Sequence, residues 1–438
     1  MRTARPTAVT PPGRARALVA LAATLALLLA AGCAPRPGAT PWPDVHEVTP
    51  DFLVERAAGD PSLAAGPGGR LALTWVSRDS LGADAWIAVT ADSGETWSGP
   101  VRLNERAGGV SSYPESRPVA AWGERGLLVA AWAAARDTTG HADDIAVRAS
   151  ADGGRTWGGT ALVNDDRGDR LSTYHGFVAL TVLGDGRPFV AWIDGRFSSG
   201  GAGGEPHVAD VFSAISPDGG VTWSANALVA GEVCPCCRLT LASAGRDTVA
   251  LAYRGAFDDL RDPRLAVSYD GGRTFVEDTL VSADRWKLDG CPSVGPSLTL
   301  EGHGGHYAWF TGESPEDSLL AGRPAPGAYL VPWRLGAGAA GAKRALGDSL
   351  AAASFPTLAR LGRGTIVAAL GKAVGGAERR VLAVRRLEPD GALTPWLYLG
   401  SGVRSAAVAG HGANGAWAAW AEQDEARTRV RLARLGAR

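Results

Sequence analysis

Residues 150–157 read S-A-D-G-G-R-T-W, and the same turn returns three times: T-A-D-S-G-E-T-W at 90–97, S-P-D-G-G-V-T-W at 216–223 and S-Y-D-G-G-R-T-F at 268–275. The shared pattern is S/T-x-D-x-G-x-T-W/F. Aspartate two residues before glycine is turn chemistry: the carboxylate accepts backbone N–H groups, and glycine takes a positive φ without strain. The closing aromatic supplies an apolar plate beneath the turn. Each copy therefore reads as a self-locking cap between two strands, centred on Asp92, Asp152, Asp218 and Asp270.

A longer period surrounds these turns. Seven apolar stretches end in a small residue followed by a large one, at Trp75, Trp132, Trp192, Tyr253, Trp309, Leu370 and Trp420, with steps of 57, 60, 61, 56, 61 and 50 residues. Each is preceded by another short apolar stretch and followed by a third that leads into the turn or, in the sixth copy, into a decayed version at 388–391. A period of this size with four short strands per repeat predicts propeller blades.

The turn is the Asp-box, and on it the chain resembles the sialidase-like (BNR repeat) β-propeller proteins. The expected fold is all-β: a single propeller of four-stranded antiparallel blades. Sialidases have six blades, whereas the repeats here count seven, with six as the alternative. The seventh repeat ends after its third strand, so the stretch 45–54 is expected to supply the missing outer strand and close the ring.

The N-terminus carries Arg2, Arg5, Arg14 and Arg16, then an apolar run at 17–31 ending in L-A-A-G-C at Cys33. The run is shorter than the roughly 20 residues of a membrane span and follows a basic region, as in an export signal. It resembles a bacterial lipoprotein signal, which implies lipidation of Cys33 and display in the cell envelope, at the outer membrane or the periplasmic face. The expected organisation is signal 1–32, lipidated Cys33 with a Pro-rich tether to 44, and propeller 45–438. Loss of the signal moves the net charge from −1 to −5, because four arginines leave with no acid. A mildly acidic chain without a Lys/Arg cluster argues against nucleic-acid partners and leaves the lipid anchor as the membrane contact.

Propeller topology assigns polar residues to faces. The Asp-boxes join third to fourth strands; loops joining second to third strands, and each blade to the next, lie on the opposite face. There the sequence places Arg78-Asp79, Arg136-Asp137, Asp194 with Arg196, and Arg254 with Asp258 and Asp259. Two readings stand: Arg–Asp braces between blades, or a clamp for an anionic ligand, since guanidinium forks match carboxylates. The family resemblance implies sialidase chemistry, with three arginines on a sugar carboxylate, a tyrosine nucleophile helped by a glutamate, and an aspartate acid/base. Tyr113, Glu115, Tyr174, Asp79 and Asp137 are the catalytic candidates, and Arg78, Arg136, Asp194, Arg196 and Arg254 the binding ones. The family's Arg-Ile-Pro signature is missing; Gly59-Asp60-Pro61-Ser62 stands there, and Arg117-Pro118 only echoes it.

Four cysteines lie in two consecutive loops of the same face: Cys234, Cys236 and Cys237 in C-P-C-C, and Cys291 in D-G-C-P, with Trp286-Lys287 upstream. C-x-C-C followed by W-K-x-x-G-C-P resembles a subgroup of exported sialidase-like propellers, without fixing an activity. The four thiols are expected to gather, either as two disulfides or as a thiolate site for a soft metal such as Cu(I) or Zn²⁺ with His175 alongside. No cofactor is otherwise implied. Two functions follow: an exo-sialidase or related glycoside hydrolase acting on extracellular glycans, or a non-catalytic propeller binding a ligand, metal or partner through its cysteine face.

Overall fold

The computed structural model describes residues 42, 44–54, 58–136, 142–166, 173–198, 208–313, 324–376, 378–424 and 427–436. Cys33 and Asp137 lie outside them. The chain forms seven antiparallel sheets of four or five strands, one per repeat. The second strand of each blade carries the large residue seen in the repeats: Trp75, Trp132, Trp192, Tyr253, Trp309, Leu370 and Trp420 are all buried. These strands, such as Leu128–Ala135 (LVAAWAAA) and Pro188–Asp194 (PFVAWID), read as nearly continuous apolar runs. Both faces of an inner blade strand are covered by neighbouring blades, so period-two alternation is lost. Alanine is a poor strand former, but its small volume lets adjacent sheets approach closely.

Packing confirms the count of seven. Seven hydrophobic clusters each span one seam between consecutive blades, and the last joins Trp417 and Leu432 of blade seven to Leu71 and Trp75 of blade one. The ring closes through the N-terminus, as the sequence predicts. Val45–Glu47 pairs antiparallel with Thr428–Leu435, in the register Val45↔Leu435, His46↔Arg434 and Glu47↔Ala433. The strand is three residues long, shorter than the stretch 45–54 suggested. A four-residue helix, Asp51–Val54, follows, and it buries Leu53 and stacks Phe52 on Trp75 at 5.2 Å.

The Asp-boxes lock as their chemistry requires. In the second copy the Ser150 hydroxyl donates to Asp152 and accepts from the Gly154 amide, while the Thr156 amide and hydroxyl both donate to Asp152. The other three copies repeat these bonds. The threonine hydroxyl, with the amide behind it, holds Asp92 and Asp152 down at about 2. The box glycine also touches the preceding blade: a Cβ on Gly272, at φ +86°, would stand 2.1 Å from the Phe189 ring. The turn is thus both a hairpin cap and a seam contact. Among the described residues no helix is long and apolar enough to cross a membrane.

Trp42 falls within the stretch read as tether, yet it is buried between blades six and seven, with its Nε1 donating to the Asn414 carbonyl at 3.0 Å. Trp42→Ala is expected to lose about 3–5 kcal/mol by removing a buried aromatic, read as a lower denaturant midpoint. A midpoint equal to wild type would show that the packed body begins later in the chain.

Candidate functional site

The loops that feed the inner strands build the face opposite the Asp-boxes. Several kink on entering the sheet: the register slips between Gly59 and Ser62, between Gly176 and Ala179, and between Ser354 and Thr357. Asp60, Phe177 and Phe355 take φ near +50° at these slips. Such bulges re-aim side chains toward the mouth. In blade two the inner strand is split into Val110–Ser111 and Val119–Trp122, both paired to the same neighbour. The interruption carries Tyr113, Glu115 and Arg117.

The arginines of the face are engaged within the protein. Arg78 pairs with Asp60 at 2.7 Å and donates to the Ser112 carbonyl. Arg136 grips Asp144 through Nε and Nη2, at 2.9 and 2.7 Å. Arg196 binds both oxygens of Asp194, reaches Asp165 at 2.8 Å and donates to Asn226. Asp79 accepts from the amide of Leu81 in its own turn, and Asp259 lies 3.5 Å from Arg261. The partners Asp60, Asp144, Asp165 and Asp166 were not singled out from sequence. They sit in other loops or strands, and only the blade geometry brings them to the arginines.

At the axis, Glu115 accepts from Arg238 at 2.7 Å and from the Gly295 amide at 2.8 Å. Both of its oxygens therefore have partners other than a tyrosine. Arg238, directly after C-P-C-C, also donates to the Pro356 carbonyl at 3.0 Å. Arg117 is buried and donates to the carbonyls of Pro61 and Ala406. Burial, and the Arg238 charge beside it, pull its guanidinium down to about 10. Six blades thus meet through three side chains. The remaining cavity beside them, lined by Glu115, Arg238, Thr357 and Ser405, has room for about one water. Tyr113 lies outside this network and is exposed.

His175 is fully buried and belongs to a separate group. One ring nitrogen, Nδ1, lies 2.7 Å from the Asp143 carbonyl; the other, Nε2, stands 3.1 Å from Asp166 and 3.3 Å from Asp194. Burial alone would lower the ring's pKa. The two carboxylates outweigh it and hold the ring up at about 9, so it is an imidazolium at neutral pH. Trp192 and Arg196 complete the shell around Asp194. His175 therefore faces oxygen on both sides rather than sulfur, unlike the expectation that it joins the cysteines.

The cysteines do gather. The Cys234 Sγ lies 3.4 Å from that of Cys237 and 3.8 Å from that of Cys236, and all three sulfurs fall within 4.8 Å of one another. Cys291 reaches the same group through Cys236. None of the four is in a disulfide. Cys234 and Cys237 are buried, Cys236 is half-buried and Cys291 is exposed. The contact with Cys236, together with burial, pushes Cys234 up to about 12, and burial pushes Cys237 up as well. Tyr174, half-buried, donates to the Pro235 carbonyl at 3.3 Å and so packs over the C-P-C-C turn.

One wall of this nest is cationic. Arg254, 1% exposed, donates to the carbonyls of Val294, Phe310 and Arg261 and lies 5.2 Å over the Trp286 ring. Among the described residues no carboxylate lies within ion-pair distance of it, and its charge acts on Cys237. Trp286 in turn packs edge-on to Phe310 at 5.6 Å, over Gly312, where a Cβ would stand 2.3 Å from its ring. The W-K-x-x-G-C-P stretch thus supplies both a thiol and the aromatic cover for the buried guanidinium.

No family model and no curated protein matches this chain. Solved structures share the fold. A polysaccharide lyase of family PL25, an ulvan lyase, superposes with a TM-score of 0.50 at 10% identity over 86% of this chain and 93% of the lyase. A protein of unknown function from Dyadobacter fermentans gives 0.48 at 13% identity over 90% of this chain and 100% of its own. The Hadza microbial sialidase Hz136 also gives 0.48 at 13% identity, over 90% of this chain and 68% of the sialidase. At these identities the likeness is one of fold.

The imidazolium has a consequence for stability. Its folded pKa, about 9, lies above the ordinary 6.5 of the unfolded chain. The stabilisation is therefore complete below pH 6.5 and is lost as pH rises through 9. Melting curves should show wild type losing several degrees more than His175→Asn between pH 7 and 9.5. Parallel curves over that range would mean the ring is neutral.

Proposed function

We propose that this protein binds a soft metal ion, Cu(I) or Zn²⁺, through Cys234, Cys236 and Cys237 on the face opposite the Asp-boxes, with Cys291 as the adjoining thiol. The observation that carries this reading is the convergence of three sulfurs within 4.8 Å beside the buried Arg254 guanidinium. Thiolates held by a metal bring negative charge next to that guanidinium, and the metal supplies the free energy to displace the thiol protons. The soft sulfur set favours Cu(I) or Zn²⁺ over hard cations. The signal-like N-terminus supports export, with Cys33 as the lipidated residue in the cell envelope.

Glycoside hydrolysis is the second reading, supported by a fold shared with a polysaccharide lyase. Glycans or small anionic sugars would be its ligands. Fold carries no chemistry by itself, and Arg78, Arg136 and Arg196 already hold carboxylates. A fluorogenic sialoside assay on the same preparation separates the two readings.

Anaerobically reduced protein is expected to take one equivalent of Cu(I) from the chromophoric chelator bicinchoninate. Cys237→Ser should lose that capacity. Thiol alkylation should label Cys234, Cys236, Cys237 and Cys291 in unfolded metal-free protein and spare the first three in folded, loaded protein. Unreduced, denatured protein with no reactive thiol would instead establish two disulfides and remove the metal reading.

A further inference from the structure

We infer that the thiol nest is a transfer site for Cu(I), in which Cys234, Cys236 and Cys237 hold the ion and Cys291 is the ligand through which it arrives and leaves; this rests on the soft-metal reading above. The four sulfurs are not equivalent. Cys234 and Cys237 are each 1% exposed, Cys236 is half-buried and Cys291 is exposed. They form a path from core to solvent, with Cys236 as the step between. The compact group of three excludes Cys291, which meets it through Cys236.

That asymmetry bears on the metal. A closed tetrahedral zinc site with Zn–S bonds of about 2.3 Å needs four mutually adjacent sulfurs, about 3.8 Å apart. Three adjacent sulfurs with the fourth at one corner match an ion content with two or three thiolates, as Cu(I) is. The Arg254 guanidinium, 1% exposed and capped by Trp286, acts on Cys237, so its charge favours an anionic trithiolate from the buried end of the path.

The backbone around Cys291 fits the same role. Its loop is fixed before the thiol by Arg261 N–H donating to the Trp286 carbonyl at 2.7 Å and Leu288 N–H to the Asp259 carbonyl at 3.0 Å. It is fixed after the thiol where Arg254 holds the Val294 carbonyl and the Gly295 amide donates to Glu115. Cys291 stands between these anchors, next to Gly290 at φ +149°, where a side chain would meet open space. The thiol is therefore held near Cys236 and still presented outward.

The exchange balances simply. An incoming Cu(I)–thiolate complex gives up one Cu–S bond as the Cys291 sulfur forms one, and the Cys291 proton passes to the departing thiolate. Copper then moves inward: Cu–S bonds to Cys236, Cys234 and Cys237 form as the bond to Cys291 and any remaining bond to the carrier break, and the three protons displaced pass to the Cys291 sulfur, to the carrier thiolate and to solvent. Copper remains Cu(I) throughout, so no electron acceptor or donor is needed. The partner class is a carrier whose copper is held by accessible thiolates, for which Cu(I)–glutathione is the probe.

Anaerobic stopped-flow mixing of reduced protein with Cu(I)–glutathione, followed by ultraviolet copper–thiolate absorption, tests this. Cys291→Ser should keep one equivalent of Cu(I), with affinity within about tenfold of wild type by bicinchoninate competition, while the transfer rate falls at least tenfold. Matching melting curves would establish that the variant is folded; if it fails to fold, Cys291→Ala is measured in its place. Loss of affinity in the folded variant as large as in Cys237→Ser would make Cys291 a structural fourth ligand and overturn the inference. An unchanged transfer rate would do the same. Failure of wild type to bind any Cu(I) would sink the soft-metal reading itself, a result distinguishable from either.

Discussion

A ring of sheets is stable only if its first and last members meet, because an open ring exposes two sheet faces and an unpaired edge. Here the meeting has two parts. Val45–Glu47 supplies the outer strand of blade seven, and the seam behind it is filled by Trp75, Trp417, Leu432 and the helix residue Leu53. The three-residue strand contributes few hydrogen bonds. Most of the closure is apolar, and Trp42, Phe52 and Leu53 extend it on either side of the strand. The centre of the mouth depends on this closure, since Arg117 and Arg238 with Glu115 tie together loops of six blades that a closed ring brings to the axis.

The mouth itself is organised by arginine and by backbone carbonyls. Bulged loops leave carbonyl groups turned toward the axis without ladder partners, and buried backbone acceptors must find donors. Arg117, Arg238 and Arg254 provide them, each spanning two or more blades from one guanidinium. Around the rim, Arg78, Arg136 and Arg196 instead hold carboxylates. The difference follows burial. An arginine that can reach a carboxylate at the rim pairs with it, whereas at the axis Glu115 takes Arg238 and Arg117 turns to backbone carbonyls. Arg254 sits among sulfur and aromatic groups, and the buried Asp262 feels its charge.

The sequence was informative where chemistry is local and silent where it is not. The Asp-boxes and the apolar second strands name their own conformation, because turn and strand are set by neighbouring residues. The seven-fold repeat and the closing strand follow from counting them. The gathering of cysteines also followed, since equivalent loops of adjacent blades must be neighbours. Charge pairing did not. Arg78 precedes Asp79 in sequence but binds Asp60, and Arg136 reaches Asp144 in the next strand of its blade. Adjacent residues in a strand point to opposite faces, so a contiguous Arg-Asp pair is poorly placed to pair with itself. His175 shows the same limit: the loop placed it near the cysteines, yet its side chain turns toward carboxylates in the neighbouring seam.

Tyr174 and His175 show how one loop serves both groups. They are consecutive, so their side chains leave the backbone in opposite directions. His175 is locked between Asp166, Asp194 and the Asp143 carbonyl, and this fixes the backbone from which Tyr174 reaches the Pro235 carbonyl over the C-P-C-C turn. Gly176 permits the approach, for a Cβ there would stand 2.7 Å from the tyrosine hydroxyl. The imidazolium group is therefore a brace for one wall of the thiol nest, as Trp286 and Arg254 are for another. Two of the nest's walls are set by charge and the aromatic ring stacks on one of them, which leaves the side toward Cys291 as the open approach to the sulfurs.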